Sequence, residues 1–379
     1  MLCLPFIQKK INIFKLKSLQ GYFVEDKKPI LTKKTWMTGQ YQDSLNKYIE
    51  STIGFRPFFI RLNNQIDFSL FNKSNTVNVV IGKDNVLFQD FYITSYWGED
   101  FIGDSLIKQK VTKLAFIQEK LKEKGKHLIF LLAPSKASIC EDKIPSRYFK
   151  KPKTTTNYEV CVREMTKQNI NLLDMRSYFL KLKGKTPYPL YPRCGTHWSG
   201  YSVTLVADTL FRYIEKISGF DLVDFHSEKG EITSTNLRFT DNDIGEGINL
   251  LWNIPNYPMY YPKIVFKPDS AKKKPALLSI GDSYNQSFWG FYPYFSELFN
   301  NKTQYWYYCN VVAWPPELEH QYISVENLDM RSELKKYDII LIVSTEQNLK
   351  DLGFGFIEKV YPILKEEDDA FKAKVKKGK

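Results

Sequence analysis

The sequence predicts an α/β protein, a parallel sheet with helices on both faces. Three observations carry that reading. Residues 128–132, 276–280 and 337–343 are predominantly apolar runs of strand length, the pattern of strands buried on both sides. Segments with apolar residues at helical spacing lie between them, as the crossovers of a parallel sheet require. The runs also end in small or polar residues, Ala133 to Lys136, Gly281 to Ser283 and Ser344 to Asn348, and ligands of such sheets bind at the carboxyl ends of strands.

Taken in order, residues 1–35 read as a basic, extended leader with little periodicity. Leu45, Tyr48, Ile49 and Ile53 mark an amphipathic helix over 41–53, stopped by Gly54, and a second helix, interrupted by Pro57, runs over 58–71. Residues 77–81 and 86–88 flank a hairpin loop at 82–85. Asp104 is expected to cap a helix reaching Lys124, with Leu106, Val111, Leu114, Ile117 and Leu121 inward. The strand 128–132 follows, then a helix over 158–168 and a strand over 170–173 that ends at Asp174. Val203, Val206, Leu210 and Tyr213 predict a helix over 200–214. Residues 220–270, rich in Asn, Pro and Tyr turns, read as an insertion before the strand 276–280 and an amphipathic segment over 285–298. Residues 304–308 are strand-like. The strand 337–343 leads into a helix to about 364, and the charged tail from Lys365 is expected to be disordered.

A chain of 379 residues, 43% of them hydrophobic, can bury a large core in one or two domains. The formal charge of +12 raises nucleic acid as a partner, but the lysines are dispersed and no basic helix or zinc-finger spacing occurs. A solvated lysine-rich surface accounts for the charge, and a polyanionic polysaccharide or an anionic membrane face would also suit it. Five cysteines, Cys3, Cys140, Cys161, Cys194 and Cys309, have no CxxC spacing, against a zinc site or a dense disulfide framework. No HExxH motif and no close histidine pair is present, so no protein-bound metal and no cofactor are expected. No apolar run approaches the ~20 residues of a membrane span.

The turn Gly281-Asp282-Ser283 is the strongest chemical signal. A strand turning sharply into a helix sets Ser283 at the sheet's carboxyl edge, where N–H groups and the helix dipole stabilise an anion. A serine there is placed to act as a nucleophile, with the N–H group of Ser283 or Tyr284 receiving the oxyanion. The plainer alternative is that Asp282 or Ser283 only caps the helix. A partner histidine decides between them, and there are four. His127 stands at the entry to an apolar strand, His226 in a polar loop and His320 behind the turn Trp314-Pro315-Pro316. His197, in Cys194-Gly195-Thr196-His197-Trp198-Ser199 just ahead of a helix, is the candidate base.

At this pair the chain resembles a known family. Gly281-Asp282-Ser283-Tyr284 resembles the serine block of the GDSL/SGNH esterases. Thr196-His197-Trp198-Ser199 upstream of it resembles the circularly rearranged SGNH hydrolase-like domain of the alginate O-acetyltransferases (the AlgJ/AlgX type). Gly54-Phe55-Arg56, the hairpin from Ile81 to Phe88 and Leu132 to Lys136 fit the same pattern. The resemblance implies a flavodoxin-like sheet over about 36–365, with the insertion at about 220–270, a charged tail at 366–379, and a leader at 1–35 that is the end of a membrane anchor. It further implies a periplasmic enzyme, anchored to the inner membrane, that O-acetylates a cell-surface or extracellular polysaccharide through acetyl-Ser283, with His197 as general base. The acetyl donor would come through a membrane-bound O-acyltransferase partner. A carbohydrate acetyl esterase would use the same residues.

One departure matters. The family's motif has an aspartate two residues before the histidine, and here that residue is Gly195. Either another acid orients His197, with Asp174 and Glu346 the first candidates, or a main-chain carbonyl does, or the site has lapsed and the protein is a polysaccharide-binding accessory. The remaining expectations are supporting ones. Asn348 matches the Asn-bearing block that supplies an oxyanion donor, and Asp282 braces the turn. Lys136, Arg193 and Trp198 are candidates for contacting substrate, with solvation the alternative for the lysine.

Overall fold

The computed structural model describes residues 4–21, 26–150 and 152–377. Ten strands occur among them: β1 (Val79–Ile81), β2 (Leu87–Gln89), β3 (His127–Ala133), β4 (Leu172–Asp174), β5 (Asp224–Thr233), β6 (Met259–Lys267), β7 (Leu277–Gly281), β8 (Gln304–Tyr307), β9 (Val311–Trp314) and β10 (Ile339–Thr345). Six form the central sheet in the order β4-β3-β10-β7-β8-β9. The pairings β4–β3, β3–β10, β10–β7 and β7–β8 are parallel.

Side chains along β3 and β10 alternate between two cores, as the period of a strand dictates. Ile129, Leu131, Leu341 and Val343 join one core, which the helix Gly200–Ser218 covers with Val203, Val206, Leu210 and Ile214. Leu128, Phe130, Ile340 and Ile342 join the other, under the helices Asp104–Glu123, Asn157–Lys167 and Phe356–Lys377. Helices on both faces are what the apolar strands required.

The sheet is mixed rather than wholly parallel, because β9 runs antiparallel to β8. Tyr308 and Cys309 both have positive φ (51° each), and the Asn310 N–H bonds to the Tyr307 carbonyl at 3.0 Å. Such a two-residue turn can only return the chain antiparallel.

Four further expectations need correction. The segment after Ser283 is not one helix but a 3-10 turn (Ser283–Gln286), a π turn (Ser287–Phe291) and a short helix (Tyr294–Leu298), broken where Pro293 enters. The expected helix dipole behind Ser283 is therefore only one short turn. The insertion contains the β5–β6 hairpin, invisible to pattern reading because β5 is exposed along most of its length. The tail is helical to Lys377, where Asp368 pairs with Lys120 at 2.9 Å and Glu367 with Arg331 at 3.1 Å. Asp104 is the first residue of its helix and Gly103 precedes it, with Ile107 rather than Leu106 buried.

The leader forms a short helix, Leu4–Ile11, whose Gln8 side chain donates to the Phe14 carbonyl at 2.7 Å. Met1 to Cys3 lie outside the described residues, and no helix among the described residues is long and apolar enough to cross a membrane. The helices Gln40–Thr52 and Arg56–Phe71 follow, and Arg61 ties them to the insertion through the Leu250 carbonyl at 2.9 Å.

Candidate active site

Ser283 follows β7, in the middle of the sheet. The Asp282 carboxylate fixes the turn. One oxygen accepts from the Thr345 N–H (2.8 Å), the Thr345 hydroxyl (2.7 Å) and the Asn348 amide (2.7 Å) at the end of β10, and the other accepts from the Tyr284 N–H at 3.1 Å. This arrangement answers two expectations. Asn348 gives its other amide hydrogen to the Thr345 hydroxyl at 3.1 Å, so it braces the turn and is not placed to donate to an oxyanion. The Tyr284 N–H is likewise engaged. The Ser283 N–H has no acceptor among the described residues.

His197 Nε2 lies 2.8 Å from Ser283 Oγ. The ring sits on Tyr284, 4.8 Å between centroids, and the Tyr284 hydroxyl donates to the Thr196 carbonyl at 2.9 Å. Tyr284 thus acts on the histidine through its side chain. The loop before His197 is held at each carbonyl. Arg193 receives Leu87 N–H (2.9 Å), Cys194 receives Gly245 N–H (2.9 Å), and Lys136 Nζ donates to the Arg193 and Gly195 carbonyls at 2.8 and 2.9 Å.

The carboxylate beside His197 Nδ1 belongs to Asp243, in the insertion, with Oδ2 3.5 Å from the ring nitrogen. Its other oxygen accepts from the Thr196 N–H (2.9 Å) and the Ile244 N–H (2.7 Å), which aims the carboxylate at the imidazole. His197 Nδ1 has no closer acceptor in the described structure. A separation of 3.5 Å is longer than a formed hydrogen bond, and catalytic contacts often tighten only with substrate bound.

Asp174 and Glu346, the acids expected for this place, are engaged elsewhere. Asp174 caps the helix Met175–Leu182 and accepts from the Tyr158 hydroxyl at 2.7 Å and the Ser177 hydroxyl at 2.6 Å. Glu346 accepts from the Ser135 N–H at 2.9 Å and pairs with Arg176 at 3.1 Å. The substrate-contact expectations also change. Lys136 is 1% exposed and Trp198 fully buried, with the indole N–H donating to Ser287 Oγ at 2.7 Å. Neither reaches a ligand at the surface. Arg193 is half-buried, lies 4.4 Å over the Tyr257 ring and donates to the Pro255 carbonyl at 2.6 Å.

Gly195 lies against the insertion that carries Asp243. A Cβ there would lie 2.4 Å from the Thr240 carbonyl oxygen and 2.9 Å from the Asp241 carbonyl carbon. The insertion occupies the space of a side chain at 195 and brings its own carboxylate to the ring. Asp241, two residues earlier, is fully buried and accepts from the Tyr261 hydroxyl at 2.7 Å, and burial raises its carboxyl to about 7. Burial also pushes the Cys194 thiol up to about 11, which leaves it protonated and inert beside the histidine.

Sequence reasoning missed Asp243 because it lies far from His197 in the chain, at the start of the short helix Asp243–Gly247 in the insertion. The one available signal was the run Asn242-Asp243-Ile244-Gly245-Glu246-Gly247, an acid among small residues in an otherwise turn-rich insertion. Among the described residues no group of three or more His, Cys, Asp or Glu side chains is arranged to hold a metal ion. A groove of about 920 Å³ lined by His127, Leu128 and Asn171 opens at the amino ends of β3 and β4, the opposite end of the sheet from Ser283.

A family model described as SGNH hydrolase-like domain, acetyltransferase AlgX, matches residues 79–305, more than half of the chain. Among solved structures, the O-acetyltransferase domain of Pseudomonas putida AlgJ is 17% identical, with 76% of this chain and 99% of that chain covered and a TM-score of 0.49. Pseudomonas aeruginosa AlgX is 14% identical, with 77% and 71% covered and a TM-score of 0.44. Bacillus cereus PatB1 is 16% identical, with 67% and 93% covered and a TM-score of 0.40. No curated protein sequence matches the chain significantly.

Proposed function

We propose that this chain, which belongs to the SGNH hydrolase-like acetyltransferase family of AlgX type, moves acetyl groups onto hydroxyls of a cell-surface or extracellular polysaccharide by way of acetyl-Ser283. The observation that carries the reading is the 2.8 Å contact of His197 Nε2 with Ser283 Oγ, with the Asp243 carboxylate on the far side of the same ring.

In the first half-reaction Ser283 Oγ attacks the acetyl carbonyl as His197 Nε2 takes its proton. The tetrahedral oxyanion is received by the Ser283 N–H. Collapse breaks the bond to the donor's leaving group, and the imidazolium returns the proton to that group. In the second half a sugar hydroxyl gives its proton to Nε2 and attacks acetyl-Ser283, and collapse restores the serine. Asp243 holds the ring so that Nδ1 carries a proton and Nε2 faces the serine, and it stabilises the imidazolium in both halves. A lapsed site would not need a carboxylate held by two N–H groups beside the histidine, so we favour an active enzyme over a binding accessory.

We place the protein outside the cytoplasm, with a membrane-bound O-acyltransferase as the source of acetyl groups. Leu4, Ile7, Ile11 and Phe14 are exposed among Lys9, Lys10, Lys15 and Lys17, which suits a site of action close to a membrane surface. The test is acetyl analysis of surface polysaccharide from cells carrying the wild-type chain or Ser283→Ala. Polysaccharide O-acetyl is expected to drop to the level of a deletion strain in the variant. Unchanged acetylation with Ser283→Ala would overturn the proposal, and a rise in acetylation would point to an esterase.

A further inference from the structure

We propose that Lys136 is a positioning residue for His197, an interior ammonium group that clamps the histidine loop and sets a positive charge opposite Asp243. This rests on the reading of Ser283 and His197 given above.

Lys136 follows β3, the strand beside β10, and begins the short helix Lys136–Ile139 that the Ser135 hydroxyl caps. The neighbouring turn is rigid, since Glu346 accepts from both the Ser135 N–H and the Ser138 hydroxyl. From there the side chain runs inward past Phe88, whose ring centroid is 5.6 Å from Nζ. It ends on the Arg193 and Gly195 carbonyls at 2.8 and 2.9 Å. Gly195 is two residues from the imidazole, and no other donor reaches its carbonyl among the described residues. The other loop carbonyls are held by neutral donors, the Leu87 and Gly245 N–H groups and the Tyr284 hydroxyl. Among the described residues Lys136 supplies the one cationic donor to these carbonyls.

An ammonium group 1% exposed, with no carboxylate in ion-pair contact among the described residues, is costly to bury, and a methionine of similar shape would fill the space without that cost. What the lysine adds is two charge-assisted bonds and a charge. Its surroundings are the Cys140 thiol on its own helix, the Cys194 thiol on the histidine loop, and the Asp241 and Asp243 carboxylates of the insertion. Burial lowers its pKa to about 8, so the ammonium form prevails at neutral pH. The insertion delivers the acid from one side and β3 delivers the countercharge from the other, with the histidine loop gripped between them.

The test uses the full chain, a soluble acetyl ester, and titration of Ser283 with a serine-directed phosphonate to count competent sites. Lys136→Met is expected to lower kcat per titrated serine about 100-fold with KM nearly unchanged, the cost of a displaced catalytic group. Lys136→Gln retains a neutral donor, so it is expected to recover part of kcat per titrated serine. A merely structural lysine would reduce the number of titrated sites and leave kcat per site where it is, and that result would overturn the inference. If Lys136→Met fails to fold, kcat per titrated serine of Lys136→Gln decides alone. If the wild-type chain shows no phosphonate labelling of Ser283, it is the underlying catalytic reading that fails, a result distinct from either outcome with the variants.

Discussion

Asp243→Asn is expected to lower kcat for acetyl transfer by about 10³-fold while leaving the fold and KM nearly intact. The geometry dictates how the variant behaves. Asp243 Oδ1 accepts from two N–H groups, Thr196 and Ile244, so an asparagine there keeps its carbonyl oxygen toward them. Its NH₂ group then faces His197 Nδ1, where Oδ2 stood at 3.5 Å. An NH₂ group opposite Nδ1 favours the tautomer protonated on Nε2, and that tautomer cannot take the Ser283 proton. The same inversion costs about 10⁴ in a serine protease triad. The smaller figure expected here reflects the longer contact. Steady-state kinetics with a soluble acetyl ester, beside a thermal melt to show that folding is preserved, checks it. Loss of less than about threefold would mean that Asp243 does not orient the ring, since removal of such a partner should cost far more.

Gly195→Asp, which places a carboxylate two residues before His197, is expected to destabilise the protein and abolish activity. The new Cβ would meet the Thr240 carbonyl oxygen at 2.4 Å and Pro192 Cγ at 2.7 Å, and the first of these is backbone that cannot rotate away. Overpacking of a dense interior costs roughly 1–3 kcal/mol, and the added carboxylate would also lie close to the buried Asp241. Gly195→Ala carries the steric part alone and is expected to lower the melting temperature by a smaller amount. If Gly195→Asp were instead as stable as wild type and more active, residues 240–243 would not lie against the histidine loop as described.

Much of this was legible in the sequence, for physical reasons. The three buried strands are predominantly apolar runs, and ligands of such a sheet bind where those runs stop, here at Ser283, Lys136 and Glu346 to Asn348. Ser283 and His197 stood out because a polar turn after a buried strand and a histidine before a helix are local patterns. The acid was not local. Asp243 reaches His197 only through tertiary packing of an insertion whose hairpin is mostly exposed and carries no apolar period. Lys136 was legible as a residue at a strand end, but its burial was not, because lysines at such places are usually solvated. Asn348 was legible as part of the site, and its engagement with Asp282 was not, since one asparagine can brace a turn or bind an oxyanion with equal ease. The helical tail escaped because its stability comes from ion pairs with Lys120 and Arg331, residues distant in sequence.

If His197 activates Ser283 to carry an acetyl group, that group can be trapped on the serine. Incubating the purified chain with an activated acetyl ester, quenching in acid and locating the adduct by peptide mass spectrometry tests it most directly. An adduct of about 42 Da, an acetyl group replacing hydrogen, is expected on Ser283, present in wild type, accumulating when no acceptor sugar is supplied, and absent in His197→Ala. An adduct on another residue, or equal acetylation of Ser283 in wild type and His197→Ala, would contradict it.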